Sequence, residues 1–123
     1  IPSGQGITGS VARIGEPCLV DDVNDLSSLP DGVTYIPFLA NTRAELTVPM
    51  MRGDEVIGVL NIEHPEPDAF TEEDQHLVEA VAGLSVVALE NARLHQELQD
   101  RRINEMKALN DLEAQLSDLE IDL

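Results

Sequence analysis

Two glutamates, one cysteine, three histidines and a glycine-rich run are the residues of this chain that chemistry could use. Glu45 and Glu63 fall on two runs that read as facing strands. They either meet across one pocket or line an exposed rim, depending on strand register. Paired carboxylates can share a proton, hold a cation or divide acid and base roles. Cys18 opens an apolar run after Pro17 with no His or cationic residue beside it, which favours a small core residue over a nucleophile. His64, His76 and His95 show neither HxH nor HxxxH spacing. A metal site from His64, Glu66 and Asp68 would lack the usual ligand spacing, and none is expected.

Gly4-Gln5-Gly6-Ile7-Thr8-Gly9 spells GxGxxG, with Asp25 downstream. Dinucleotide use requires a strand before the motif and a parallel strand–helix–strand unit around it. Only Ile1-Pro2-Ser3 precede it, and the clearest strands form an antiparallel hairpin. A glycine-rich lead into a helix is the better reading, and no cofactor is expected.

The elements that must position these residues follow from periodicity. Residues 1–6 read as a loop and 7–14 as a short helix with Val11 and Ile14 on one side. Residues 18–23 read as a strand, and 24–41 as a loop carrying a short helix, too apolar for a solvated linker. Leu46, Val48 and Met50 alternate with Glu45, Thr47, Pro49 and Met51, the period of two of a strand, with Pro49 marking a bulge or a position without a ladder partner. Arg52-Gly53-Asp54-Glu55 makes the turn, and residues 56–63 return antiparallel. Ile57 and Val59 are expected on one face and Val56, Leu60 and Ile62 on the other, which predicts an inner strand. Gly58 leaves room there for a neighbouring backbone or a ligand.

Thr71 followed by Glu72, Glu73 and Asp74 is a helix start, with an N-cap and carboxylates at the positive dipole end. Leu77, Val81, Leu84, Ala88, Asn91, Leu94 and Leu98 then recur at helical spacing. Leu109, Leu112, Leu116, Leu119 and Leu123 continue at alternating threes and fours, the seam of a coiled coil. Projected backwards, that seam meets Glu105 and Arg102, which predicts a register slip over residues 101–107. Unbroken, the helix would run on the order of 70 Å. Charges such as Glu97 and Arg101 outside the leucines favour pairing with a second chain over packing on the chain's own domain.

Composition excludes several partners. The 123 residues are 42% hydrophobic but only 2% aromatic, so aliphatic side chains must fill the core and base-stacking platforms are scarce. Twenty-four acidic residues against seven Lys and Arg give a net charge of −17. That sign repels phosphate backbones and anionic membranes, so neither nucleic acid nor membrane contact is expected. One cysteine and no signal peptide predict a cytoplasmic setting. The longest weakly polar run, residues 80–89, is about half of the ~20 residues a span requires.

Three segments in order, GITGSVARIGEPCLVDDV, AELTVPMMRGDEVIGVLNIE and AFTEEDQHLVEAVAGLSVVALENARLHQEL, resemble the GAF domain, a small-molecule-sensing module of signalling proteins, over residues 6–98. The resemblance implies an α+β, PAS-like antiparallel sheet with helices packed on one face and a ligand pocket on the other. It implies homodimerisation through the terminal helices and transmission to an output domain such as a histidine kinase, cyclase or phosphodiesterase, or a transcription-activating domain. Family domains begin with a helix and two strands that this chain lacks before Ile1. The sheet is therefore expected to be short by two strands, with an open edge and an incomplete pocket: either the chain is a fragment, or another segment or subunit completes it.

Subfamily features are carried over residue by residue. Cyclic-nucleotide-binding members resemble Asn-Lys, then Phe with Asp-Glu from four residues later. Asn61, Phe70 and Asp74 match, whereas Ile62 and Gln75 depart from the pattern. Bilin-carrying members attach pigment to a Cys in the loop equivalent to 24–41, which holds none. Free methionine sulfoxide reductases place carboxylates where Glu45, Asn61 and Glu63 stand and need cysteines in that same loop. Cys18 alone cannot supply attacking and resolving thiols.

The reading is a sensor over residues 1–98 and a coiled-coil signalling helix over 99–123, not itself an enzyme. The expected ligand-binding residues are Val20, Asp22, Tyr35, Phe38, Leu39, Glu45 and Glu63. The expected dimer seam is Leu94, Leu98, Leu109, Leu112, Leu116 and Leu119. The rivals are a free methionine sulfoxide reductase-like enzyme and a ligand-free dimerisation module.

Overall fold

The computed structural model describes residues 5–121, with the side chains of Glu120 and Ile121 left aside. The loop reading of residues 1–4, Gly4 of the glycine motif and Leu123 of the seam lie outside the described residues. The elements run α1 (Gly6–Ile14), β1 (Cys18–Val20), a 3-10 turn (Leu26–Ser28), β2 (Ala44–Arg52), β3 (Glu55–His64) and α2 (Glu72–Ile121).

The three strands form one antiparallel sheet in the order β1-β2-β3. Alternation along β2 sorts its two faces. Leu46, Val48 and Met50 pack with Ala82 and Val86 of α2, joined by Leu19, Ile57, Leu60, Phe70 and Val78. On the opposite face Val20 packs with Ile7 of α1 and Val23, with Cys18, Leu29, Val33 and Tyr35 around them. Thus α2 covers one face of the sheet, and α1 stands on the other, beside the site described below.

The central strand is β2, not β3. Residues 44–48 of β2 are all buried, whereas β3 is half-buried and forms the sheet edge among the described residues. The apolar run in β3 misled because a bulge redistributes its side chains. Met51 pairs with Val56 but Met50 pairs with Gly58, leaving Ile57 as the extra residue. A bulge places neighbouring side chains off strict alternation. Ile57 therefore joins Leu60 on the α2 face. Val56, expected beside Leu60 and Ile62, instead lies next to Gly15 at the end of α1. The space at Gly58 is taken by Met50, whose Sδ would stand 3.3 Å from an added Cβ, not by a ligand or backbone.

β1 ends three residues before the expected limit at Val23. There the Asp22 carboxylate turns to Arg43, accepting from Nε at 3.0 Å and from the terminal NH2 at 2.8 Å. The backbone N–H of Val23 still donates to the Arg43 carbonyl at 2.7 Å. α1 closes at Gly15, whose φ of 80° is the left-handed cap and whose N–H donates to the Val11 carbonyl. Val11 is buried, but Ile14 is 54% exposed and does not share its environment. Residues 24–41 are also more exposed than their composition suggests. Leu29, Val33 and Tyr35 pack inward, whereas Leu26, Phe38 and Leu39 face solvent.

α2 starts on a reciprocal cap. The Asp74 N–H donates to Thr71 Oγ1 at 3.2 Å, and the Thr71 N–H donates to Asp74 Oδ2 at 2.9 Å. Two compact units divide at Val87, residues 1–87 and 88–123, eleven residues before the boundary read from sequence. In the first unit α2 buries Ala82 and Val86 and leaves Leu77, Val81 and Leu84 exposed. In the second, Leu94, Leu98, Leu109, Leu112, Leu116 and Leu119 are all at least half exposed. The helix is unbroken through residues 101–107. Leu98 and Leu109 are eleven residues apart, a heptad plus four, the spacing of a short insertion, and a continuous helix accommodates it.

Candidate functional site

The register that β2 and β3 adopt places Glu45 directly opposite Glu63. The bulge causes this. At the turn, Arg52 pairs with Glu55 and Met51 with Val56; beyond Ile57 every partner is displaced by one. Were Ile57 paired in line with the turn instead of bulged out, Glu45 would face Ile62, and Glu63 would point to the other side of the sheet. Leaving Ile57 out of the ladder therefore brings both carboxylates to one face.

That face forms the floor of a cleft of about 230 Å³ lined by Ile7, Thr8, Tyr35, Ile36, Phe38, Glu45, Asn61 and Glu63. α1 supplies one wall, the 24–41 segment another, and the two strands the base. Gly6 permits the walls to meet: its φ is +64°, and an added Cβ would stand 3.2 Å from Ile36 Cδ1.

Glu45 is only 3% exposed, and its Oε2 has no hydrogen-bond partner. Burial pushes its pKa up to about 7, the Glu63 charge adds to the rise, and the Asn61 amide opposes it. Thr47 Oγ1 donates to Asn61 Oδ1 at 2.9 Å and so orients that amide. Burial also raises Tyr35, with the charges of Glu45 and Glu63 adding and the Thr42 hydroxyl opposing. An apolar-walled cleft with an unsatisfied carboxyl at its base can accept a hydrogen-bond donor or a cation.

Four of the seven residues expected at a pocket line this cleft: Tyr35, Phe38, Glu45 and Glu63. Val20 is fully buried and packs against Ile7 and Val23 instead. Asp22 is held in its ion pair with Arg43, which keeps its carboxyl down at about 2. Leu39 faces a more open depression of about 620 Å³, shared with Asn24, Arg43 and Pro65. Tyr35, whose buried hydroxyl also lacks a partner, lines both spaces, but only the smaller one has the buried carboxyl at its base, so the Glu45 cleft is the stronger candidate. Ile7, Thr8, Ile36 and Asn61 were not among the expected residues. Asn61 was legible as the same-face neighbour of Glu63 two positions away; the α1 residues carried no such signal.

Cys18 lies on the cleft side of the sheet, opposite Thr47. Burial raises its thiol to about 11, with the Glu45 charge adding. His64 Nδ1 accepts from the Glu66 N–H at 3.0 Å, and its ring meets Phe70 edge-on at 6.3 Å. Among the described residues no three His, Cys, Asp or Glu side chains gather as a metal site, and no helix is long and apolar enough to cross a membrane.

Solved structures share this fold. A free methionine-R-sulfoxide reductase from Neisseria meningitidis, solved with its substrate, is 28% identical with a TM-score of 0.68, over 76% of this chain and 53% of that one. A type II free methionine-R-sulfoxide reductase from Thermoplasma acidophilum is 26% identical with a TM-score of 0.61, over 70% and 57%. A solved GAF domain is 29% identical with a TM-score of 0.61, over 70% and 46%. The chain thus spans about half the length of the structures it matches. The expectation that the chain is not an enzyme is corrected by these findings, because enzymes stand among the structures most similar to it. The GAF domain family model matches residues 1–90, well over half of the chain, and the protein belongs to the GAF domain family.

Proposed function

We propose that this chain is the small-molecule-binding part of a larger signal-transduction protein of the cytoplasm, with the Glu45 cleft as its ligand site. The observation that carries the reading is the buried Glu45 carboxyl at the base of the cleft, with Oε2 left without a partner. An unsatisfied buried polar atom costs stability, and a ligand that satisfies it recovers that cost.

Coupling would run through β2. Glu45 faces the cleft, and the next residue, Leu46, packs with Ala82 and Val86 of α2 on the opposite face. A ligand that draws Glu45 toward the cleft therefore bears on the α2 packing, provided that it binds the two arrangements unequally. The exposed leucines from Leu94 to Leu119 would pair two copies and carry the state to an output domain such as a histidine kinase or cyclase. Expected results are a dimeric mass by light scattering and a rise in thermal midpoint with a bound metabolite. A monomeric mass at high concentration would refute the pairing; a broad metabolite panel without any thermal shift would leave a structural module.

A second reading is favoured by the similarity to free methionine-R-sulfoxide reductases. In that reaction the sulfoxide oxygen leaves as water while two thiols become a disulfide. Cys18 offers one thiol, held protonated by burial, so an external thiol must take part. Incubation with free methionine-R-sulfoxide and dithiothreitol, for the parent and Cys18→Ser, decides this reading. Turnover that is lost in the variant supports it, and absent turnover rejects it.

A further inference from the structure

Three features of the cleft bear on what it selects. Its base carries two carboxylates on directly paired positions, Glu45 and Glu63. One of them is almost wholly buried, with an oxygen that meets no donor. Its walls are Ile7, Ile36 and Phe38, with Thr8 and Tyr35 between them, and among the described residues no cationic side chain lines it. An acid pair without a protein cation, inside a chain of net charge −17, is a focus of negative potential. At about 230 Å³ the space suits a ligand smaller than most drug-sized molecules.

Resting on the ligand-site reading above, we propose that the cleft selects a compact primary ammonium on a short apolar chain, and that binding expels a proton from the Glu45–Glu63 pair. The ammonium donates to Glu45 Oε2 and is shared with Glu63, while the apolar chain lies against Ile36 and Phe38. The balance is simple: the protonated pair and the ammonium enter, and the complex and one proton leave. The groups facing Glu45 are Glu63 from β3, Tyr35 from the 24–41 segment and Cys18 from β1, whereas α1 brings only the uncharged Ile7 and Thr8. With Cys18 and Tyr35 both held protonated, the acid pair is the source of the released proton.

The test is calorimetric titration of the chain with n-butylamine, 1-butanol and butyrate, three probes of one length and different charge, in buffers of differing ionisation heat. The amine is expected to bind at least about tenfold more tightly than the other two. Its affinity should rise by about tenfold from pH 6 to pH 8, with close to one proton released at the acid end. Glu45→Gln should abolish both the preference and the pH dependence. If that variant does not fold, Glu63→Gln should move the midpoint of the pH dependence downward. Equal binding of the amine and alcohol, or an unmoved midpoint in Glu63→Gln, overturns the proposal. Butanol or butyrate bound without the amine overturns the ammonium selectivity but leaves the ligand site standing. Failure of all three probes to bind rejects the amine proposal, and a metabolite bound by the thermal-shift panel would still keep the site.

Discussion

Glu45 and Glu63 stand opposite one another because Ile57 has no partner. The pairing of Met50 with Gly58, one step out of line with Met51 and Val56, is what turns Glu63 to the side of Glu45. The acid pair is therefore a property of the bulge as much as of the two glutamates.

Deleting Ile57 should remove the bulge and keep the acid pair. With the extra residue gone, the pairing of Met51 with Val56 runs straight on to Met50 with Gly58 and so to Glu45 with Glu63. What is lost is the Ile57 side chain, which packs on the α2 face, and a fall on the order of 2 kcal/mol is expected. Urea unfolding checks the size. Loss of the pH dependence assigned to Glu45 below would show that the deletion had moved the register.

Stability should fall as pH rises through the range of Glu45. Its folded pKa is about 7 against an ordinary 4.5, so the folded state binds more protons between those values. The stability present at about pH 4.5 is lost progressively toward about pH 7, by on the order of 3 kcal/mol. Glu45→Gln should flatten that slope and be the more stable form at alkaline pH. Asp22 works in the opposite sense: Arg43 holds it near 2, so its contribution is present above about pH 4 and is lost as pH falls toward 2. Unfolding midpoints across this pH range test both signs.

The strands and the cap of α2 were legible because local chemistry agrees with the fold. Alternation in Leu46–Met50, the Gly53 turn and Thr71 three residues before Asp74 each name their own geometry. The bulge was foreshadowed only by Pro49, and on the wrong strand. The extra residue is Ile57, which looks like any core isoleucine. The cleft walls were the least legible part. Tyr35, Ile36 and Phe38 have no periodicity, and their contact with α1 depends on the positive φ of Gly6, which no spacing pattern announces. Asp22 and Leu39 were misplaced for a related reason: the long-range pairing of Asp22 with Arg43 leaves no local trace.

Cys18 should resist thiol reagents in the folded chain. With the thiol raised from 9.0 to about 11, the thiolate fraction near neutral pH falls about a hundredfold. Alkylation with iodoacetamide should be slow when native and fast in denaturant. Equal rates would show the thiol to be open to solvent and not desolvated.

Leu112→Asp should separate paired helices without disturbing the sheet. Leu112 lies in the second compact unit and is half exposed in the single chain. A buried seam aspartate in a dimer costs several kcal/mol, enough to shift micromolar pairing to monomer. Light scattering should show the mass halved, with the thermal transition of the first unit retained. An unchanged dimeric mass would place the pairing elsewhere.

The ligand site itself is tested most directly by amide chemical shifts of the isotopically labelled chain, titrated with free methionine-R-sulfoxide and with n-butylamine. Binding in the proposed cleft should move Ile7, Thr8, Tyr35, Glu45, Asn61 and Glu63 together, and their shifts should vanish in Glu45→Gln. Shifts confined to the Arg43–Pro65 depression would contradict the assignment of the Glu45 cleft.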